Sequence, residues 1–302
     1  MGPAPMALQR RSLAVVRTAR EERMTVDLQS VGASAEATQD YTWQDTALYA
    51  LSLGAGPDDL KYVRDKPAPE VLPTFGVLPA FDPAFEVLRK TGADLVQLLH
   101  TAQHTEQLAP FPPSGTMHTR ATLRGLWDMK IGATALVDTE TRVDGKTHCR
   151  TTWELLLRGE GGFGGERPPS RLRTRAPKDV APLFSERVPT LPTQALLYRL
   201  NGDVNPIHMD PQVAAEAGFD RPILHGLCTY GIAGRVALKH LAGNDAARFQ
   251  SLAVRFSKVV FPGDTLIVQG YALPEPGQVA LTVTVEETGA EAISNALFRY
   301  RA

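Results

Sequence analysis

Asp203, Asn205 and His208 stand together in one short stretch, NGDVNPIH. Gly202 and Pro206 break regular structure around the acid, so a turn there can aim all three side chains at one place. A carboxyl group of ordinary pKa about 3.9 and an imidazole of about 6.5 can share one water. One group takes a proton from that water while the other gives a proton to a substrate. Addition of water across a double bond needs such a pair, and so does the reverse elimination. Each residue also has a plain structural use. Asp203 can cap a turn after glycine, Asn205 before Pro206 can open one, and His208 can be satisfied by a backbone carbonyl. The three at this spacing are harder to account for as loop chemistry alone.

The elements that would hold them follow from pattern. TQALLYRLNGD predicts a short helix ahead of the turn. DPQVAAEAGFD predicts another behind it, with Asp210 as N-cap and Pro211 at the first helical position. HGLCTYGIAGRVALKHLAG predicts a longer helix that ends at Gly243. Its Gly226, Cys228, Gly231, Ala233, Gly234 and Ala237 are small, which suits a helix closely wrapped by a curved antiparallel sheet. Four extended segments follow, over 252–260, 265–273, 279–287 and 292–300. Val279, Leu281, Val283 and Val285 alternate as in a half-buried strand.

The first half repeats this order. TWQDTALYALSLGAG predicts a helix capped by Thr42, with Ala47, Leu48, Leu51 and Tyr49 on its apolar face. EVLPTFGVL reads as a short buried strand, and 84–99 as a second helix. GTMHTRATLRGLWDM, IGATALVDTETRV and KTHCRTTWELLLRG then read as successive antiparallel strands. Between the halves, 161–182 is rich in glycine, proline and arginine and reads as a linker. The expectation is an α+β chain with units at 25–160 and 183–302.

Bulk properties narrow the function classes. The 302 residues are 43% hydrophobic and 22% charged, with a formal net charge of -1, so nothing argues for nucleic acid as partner. No apolar run is long enough for a membrane span. The two cysteines, Cys149 and Cys228, make no disulfide framework and suit a reducing compartment. MALQRRSLAVVRTAREER near the start carries five arginines. Residues 1–24 are expected to be a disordered arm, or to precede an effective start at Met24, with a mitochondrial presequence as the rival reading. FRYRA at the other end is not a peroxisomal address, and a cytoplasmic protein is expected.

Gly202, Asp203, Asn205, Pro206, Ile207 and His208 match the G-D-x-N-P-aliphatic-H signature of the MaoC-like, (R)-specific enoyl-CoA hydratases, and the chain resembles that family. AGFDRPILHGLCTYG continues the resemblance through an RPIxHG stretch. ALYALSLGAG, DLKYVRD, LPTFGV, GGFGG, RFSKVVFPGDTL and ETGAEAISNA extend it over nearly all of 26–302. These look like the two-unit hydratase of peroxisomal multifunctional β-oxidation enzymes. The resemblance implies a double hot-dog fold, with chemistry only in the C-terminal unit and a wider acyl cavity supplied by the N-terminal one. It implies hydration of a trans-2-enoyl-CoA to a (3R)-3-hydroxyacyl-CoA. Asp203 and His208 would activate the water, Asn205 would orient it, and the Gly226 N–H would hold the thioester oxygen. His225, Arg255 and Lys258 would serve substrate binding, the last two through CoA phosphates. The implied assembly is a homodimer, with no cofactor beyond the CoA of the substrate. Asn201 and Val204 depart from the family pattern beside the signature, and LLHTAQHTEQ departs from its usual HGEQ.

Other readings of the same residues are weaker. Cys228 reads as a packing residue rather than a nucleophile. His208 and Asp210 lack third and fourth ligands at metal-site spacing. GGFGG lacks the strand–turn–helix context of a dinucleotide loop. An acyl-carrier-protein-linked dehydratase, a thioesterase and a non-catalytic acyl-CoA-binding subunit stand as alternatives.

Overall fold

The computed structural model describes residues 26–95, 98–169 and 174–302. The arm expected over 1–24 lies outside them. The first half contributes strands β1 (Ser34–Tyr41), β2 (Leu98–Gln107), β3 (Gly115–Asp128), β4 (Gly132–Val143) and β5 (Lys146–Arg158). The second contributes β6 (Phe184–Pro189), β7 (Phe249–Phe256), β8 (Thr265–Ala272), β9 (Gln278–Val285) and β10 (Glu291–Tyr300). They form one antiparallel sheet in the order β1-β3-β4-β5-β2-β7-β10-β9-β8-β6. From either edge inward, each half runs first, third, fourth, fifth and second strand. The two second strands pair at the centre, with Gln103 opposite Val254 and Thr105 opposite Leu252. This shared topology is the double hot-dog that the resemblance implied.

Among the described residues five α-helices accompany the sheet: α1 (Trp43–Ser52), α2 (Phe81–Arg89), α3 (Gln194–Tyr198), α4 (Pro211–Glu216) and α5 (Gly226–Leu241). Helix α5 touches β7, β10 and β8. Three strand spacings of about 4.8 Å separate β7 from β8, so only a curled sheet brings both to one helix. Leu227, Ile232, Val236 and Leu238 of α5 are buried. Each such side chain contributes about 1.5–3 kcal/mol relative to exposure.

The small face of α5 does not lie against the sheet alone, as expected, but receives the first half's helical segments. A Cβ at Gly231 would meet Leu53 at 2.6 Å, and one at Gly234 would meet Thr74 at 2.8 Å. Arg235 ties the same helix to the first half, with Nη1 2.8 Å from Asp59 and Nε donating to the Leu53 carbonyl at 3.1 Å. A guanidinium this buried is tolerated because both contacts replace water.

Helix α1 starts as expected. The Thr42 backbone N–H and hydroxyl both donate to the Asp45 carboxylate, at 2.7 and 2.8 Å. Ala47 and Tyr49 are buried as expected, with Thr46, Ala50 and the following Leu53, and Leu51 is exposed. At 100° per residue Leu51 falls opposite Tyr49 and Leu53. Three other expectations are corrected. Pro73–Val77 is a buried 3-10 turn rather than a strand, because Pro73 presets helical φ and donates nothing to a ladder. The helix expected over 84–99 stops at Arg89 and is followed by Gly92 at φ +73°, which frees 98–107 to become β2. The strand expected over 252–260 is shifted to Phe249–Phe256.

GGFGG holds an anion from its own chain. The amides of Gly162 and Gly164 donate to the Asp128 carboxylate at 3.0 and 2.6 Å and hold its pKa below the usual carboxylate range. Among the described residues no helix is long and apolar enough to cross a membrane.

Candidate active site

The signature loop is built as a series of short turns. After α3, a 3-10 turn over Arg199–Asn201 ends at Gly202, whose φ of +114° only glycine adopts freely. Asn201 anchors this end. Its Nδ2 donates to the Tyr198 carbonyl at 2.8 Å and to the Ser52 hydroxyl, at the end of α1, at 3.0 Å. Asn205 then caps the turn Pro206–His208, its side-chain oxygen accepting from the Ile207 N–H at 3.2 Å. Asp210 caps α4 by accepting from the Gln212 N–H at 2.8 Å.

These turns bring three donors together. One atom each from Asp203, His208 and His225 lies within 4.8 Å of the others. Two hydrogen bonds of about 2.8 Å meeting at about 110° span about 4.6 Å, so the spacing suits one bridging water. His208 Nδ1 lies 2.8 Å from the Ile223 carbonyl, which can only accept. The proton is therefore on Nδ1, and Nε2 presents a lone pair. His225 Nε2 lies 3.1 Å from the Asp203 carbonyl, so it carries that ring's proton. The two imidazoles stack at 3.7 Å, and the Tyr198 ring packs on His225 at 4.9 Å.

Electrostatics follow from burial. Asp203 is pushed above the ordinary 3.8 by burial, a shift that His208 opposes. His208 is pushed below the ordinary 6.5 by burial, a shift that Asp203 opposes. His225 is held down to about 3 by burial and by His208, so it is neutral. The two proton affinities approach each other, as exchange of one proton across a shared water requires.

Gly226 opens α5 and is exposed at the mouth of this loop. Among the described residues nothing accepts from its N–H, and a Cβ there would touch the Phe256 ring at only 3.4 Å. His225, the preceding residue, links this amide to the Asp203–His208 pair.

The loop lies within a region that matches a known family. Residues 173–290 match the MaoC like domain, and 39–159 match the MFE-2 hydratase 2 N-terminal domain. The 3-hydroxyacyl-thioester dehydratase Y of Mycobacterium tuberculosis is 39% identical over 287 residues, covering 89% of this chain and 95% of the relative. The chain belongs to the MaoC-like and hydratase 2 family. It is a hydro-lyase. The probable enoyl-CoA hydratase 2 of Dictyostelium discoideum is also 39% identical, over 253 residues, covering 80% of this chain and 86% of the relative. A MaoC-like dehydratase from Phytophthora capsici superposes with a TM-score of 0.82 at 29% identity, covering 91% of this chain and 99% of the other.

Within this MaoC-like frame, the residues read from sequence divide. Asp203, His208 and His225 come together, and Gly226 follows His225 at the head of α5. Asn205 is exposed, its side-chain oxygen is used as a cap, and its backbone N–H lies 3.2 Å from Asp203 Oδ1. Arg255 at the end of β7 and Lys258 just beyond are exposed and flank Phe256. Cys228 is a packing residue, buried and donating to the Ser52 carbonyl at 3.5 Å, with its thiol pKa pushed up by burial.

Sequence spacing did not supply a third metal donor near His208, and the fold adds His225. The Nε2 of His225 is already used by the Asp203 carbonyl, which leaves Nδ1 as the nitrogen of that ring an ion could use. Sequence reading also missed Tyr198, the Asn201–Ser52 tether and Phe256. Asn201 was visible only as a departure from the family pattern. A concavity of about 720 Å³ lies elsewhere, on the outer face of the first half's strands. Its Arg124 and Arg150 are already paired with Asp138 and Glu140.

Proposed function

We propose that this hydro-lyase adds water to a trans-2-enoyl-CoA to give a (3R)-3-hydroxyacyl-CoA, and catalyses the reverse dehydration. The observation that carries this reading is the closeness of Asp203 and His208, within 4.8 Å, beside a Gly226 N–H that has no acceptor among the described residues. The Asp203 carboxylate and the His208 Nε2 hold the water. One O–H bond breaks as the C3–O bond forms, and the released proton stays on the pair. A proton from the pair then reaches C2. The thioester oxygen gains negative charge meanwhile, and the Gly226 N–H at the positive end of α5 is placed to receive it. Asn205 acts by fixing the turn, and His225 by holding the Asp203 backbone against His208. The (3R) outcome is carried over from the family. Arg255 and Lys258 are assigned to the CoA phosphates, and no group beyond the CoA of the substrate is needed.

Turnover of crotonyl-CoA, followed as loss of enoyl-thioester absorbance beside a free-thiol assay, tests the reaction class. Hydration without CoA release is expected, and release of free CoA would turn the reading to a thioesterase.

A pH dependence follows from the same burial. Asp203 is raised from 3.8 and His208 lowered from 6.5, so the acid limb of kcat/KM is expected between those values. It belongs to the pair rather than to either residue. Activity should fall as pH drops through that window, because protonation removes the acceptor the water needs. A limb at or above 6.5 would contradict this placement of the pair.

A further inference from the structure

An aromatic run leads away from Gly226 into the first half. Phe256 lies against Gly226, and His100 meets the Phe256 ring edge-on at 5.1 Å. His100 stacks on Trp153 at 4.8 Å, and Phe81 meets Trp153 at 6.1 Å. Phe81, Phe85, Leu98 and Phe256 are only partly buried, so their free faces can line an apolar path for an acyl chain. The path crosses the central β2–β7 seam.

One place on this path is not apolar. A bulge between His100 and Ala102 breaks the alternation of β2, which puts His100 and Gln103 on one face. His100 Nε2 and Gln103 Oε1 are both sealed from solvent, and neither has a hydrogen-bond partner. The Gln103 Nε2 donates to the His104 carbonyl at 3.0 Å, which fixes the amide oxygen toward the interior. The Ala102 backbone and then the Gln103 side chain lie near enough to the ring to favour its protonation, yet Nε2 and Oε1 themselves have no partner. Burial holds His100 down to about 4, so the ring is neutral and carries one N–H. Buried polar atoms left unpaired are costly, and a pair of them beside an aromatic run that starts at Gly226 points to a ligand group.

We propose that His100 and Gln103 select acyl chains bearing a hydroxyl group, which accepts from the imidazole N–H and donates to the amide oxygen. A keto group can only accept and so satisfies His100 alone. An alkyl chain satisfies neither and seals both atoms. The expected order of preference is hydroxylated, then keto, then plain alkyl. This inference rests on the hydratase reading and names a substrate class for it.

The test uses the purified full chain. Crotonyl-CoA, (E)-2-decenoyl-CoA and a set of (E)-2-decenoyl-CoAs with one hydroxyl walked along the chain are compared by kcat/KM. Each long-chain value is divided by the crotonyl value of the same protein, which removes differences in folded fraction. At one hydroxyl position the wild type should exceed the plain chain by roughly tenfold or more. His100→Phe keeps the stacking on Trp153, and Gln103→Met keeps the volume. Each should collapse that ratio, and His100→Phe should do so chiefly by improving KM for the plain chain. Equal ratios at every position, unchanged in both variants, would overturn the inference and show a pair bridged by water. If crotonyl-CoA is not hydrated at all, the hydratase reading fails and this inference with it.

Discussion

Replacing Asp203 with Asn is expected to lower kcat by about 10³-fold and to raise the melting temperature. The first effect follows from acid–base chemistry, where loss of a positioned proton acceptor typically costs 10²–10⁴-fold. The second separates catalysis from structure. Burial raises the Asp203 pKa above its ordinary value, so the ionised form is disfavoured in the folded protein. Such a group adds stability only when protonated at low pH and loses it as pH rises through the folded pKa. At neutral pH the charge is therefore a cost, and Asn removes it. Asn also keeps an oxygen for the Asn205 N–H, so the turn survives. The gain in melting temperature should be a few degrees near pH 7 and should shrink toward pH 4. Thermal unfolding at several pH values, beside initial rates, checks both parts. A lower melting temperature for the variant would mean that Asp203 serves the turn and not the chemistry.

Gly226→Pro is expected to lower kcat by roughly 10²–10³-fold with the fold intact. Proline is tolerated at the first position of a helix, where its missing N–H has no intrahelical partner. It also requires an extended residue before it, and His225 already sits at φ -57° and ψ 131°. The substitution therefore deletes the amide proposed for the thioester oxygen and little else. Gly226→Ala is the control. It keeps the N–H, and its Cβ would meet Phe256 at 3.4 Å, an ordinary contact. Alanine should stay within a fewfold of wild type. Equal losses in both variants would point to crowding of the acyl path instead of a lost donor.

The parts of this site that were legible in sequence are those where chemistry dictates residue type. An acid, an imidazole and a glycine at the head of a helix carry their meaning in their identity. Asp203 and His208 are also close along the chain, so a turn alone could unite them. His225 was harder to place, because its contacts with Asp203 and His208 exist only after the Leu224–Val260 backbone bond folds its segment over the loop. Asn205 carries two readings, because an asparagine beside a catalytic acid and one capping a proline turn look the same in sequence, and the structure shows the cap.

The fold followed the same logic. Strands β3, β4 and β5 are extended, β-branched runs separated by turn residues and were found. Strand β2 was not, because its inward residues are Gln103, Thr105 and Gln107, all buried. That inverts the hydrophobic signal on which strand recognition rests. Pro73–Val77 is as apolar as a buried strand, and only its proline argued for a turn. The same polar interior of β2 that hid the strand holds the His100–Gln103 pair.

The central claim is that one water, held by Asp203 and His208, adds to C3 of an enoyl-CoA from a single face. Chiral analysis of the product formed from (E)-2-decenoyl-CoA tests this most directly, with wild type run beside Asp203→Asn and His208→Gln. The account predicts (3R)-3-hydroxydecanoyl-CoA from the wild type and almost none from either variant. A (3S) product, or (3R) product formed at wild-type rates by both variants, would contradict it.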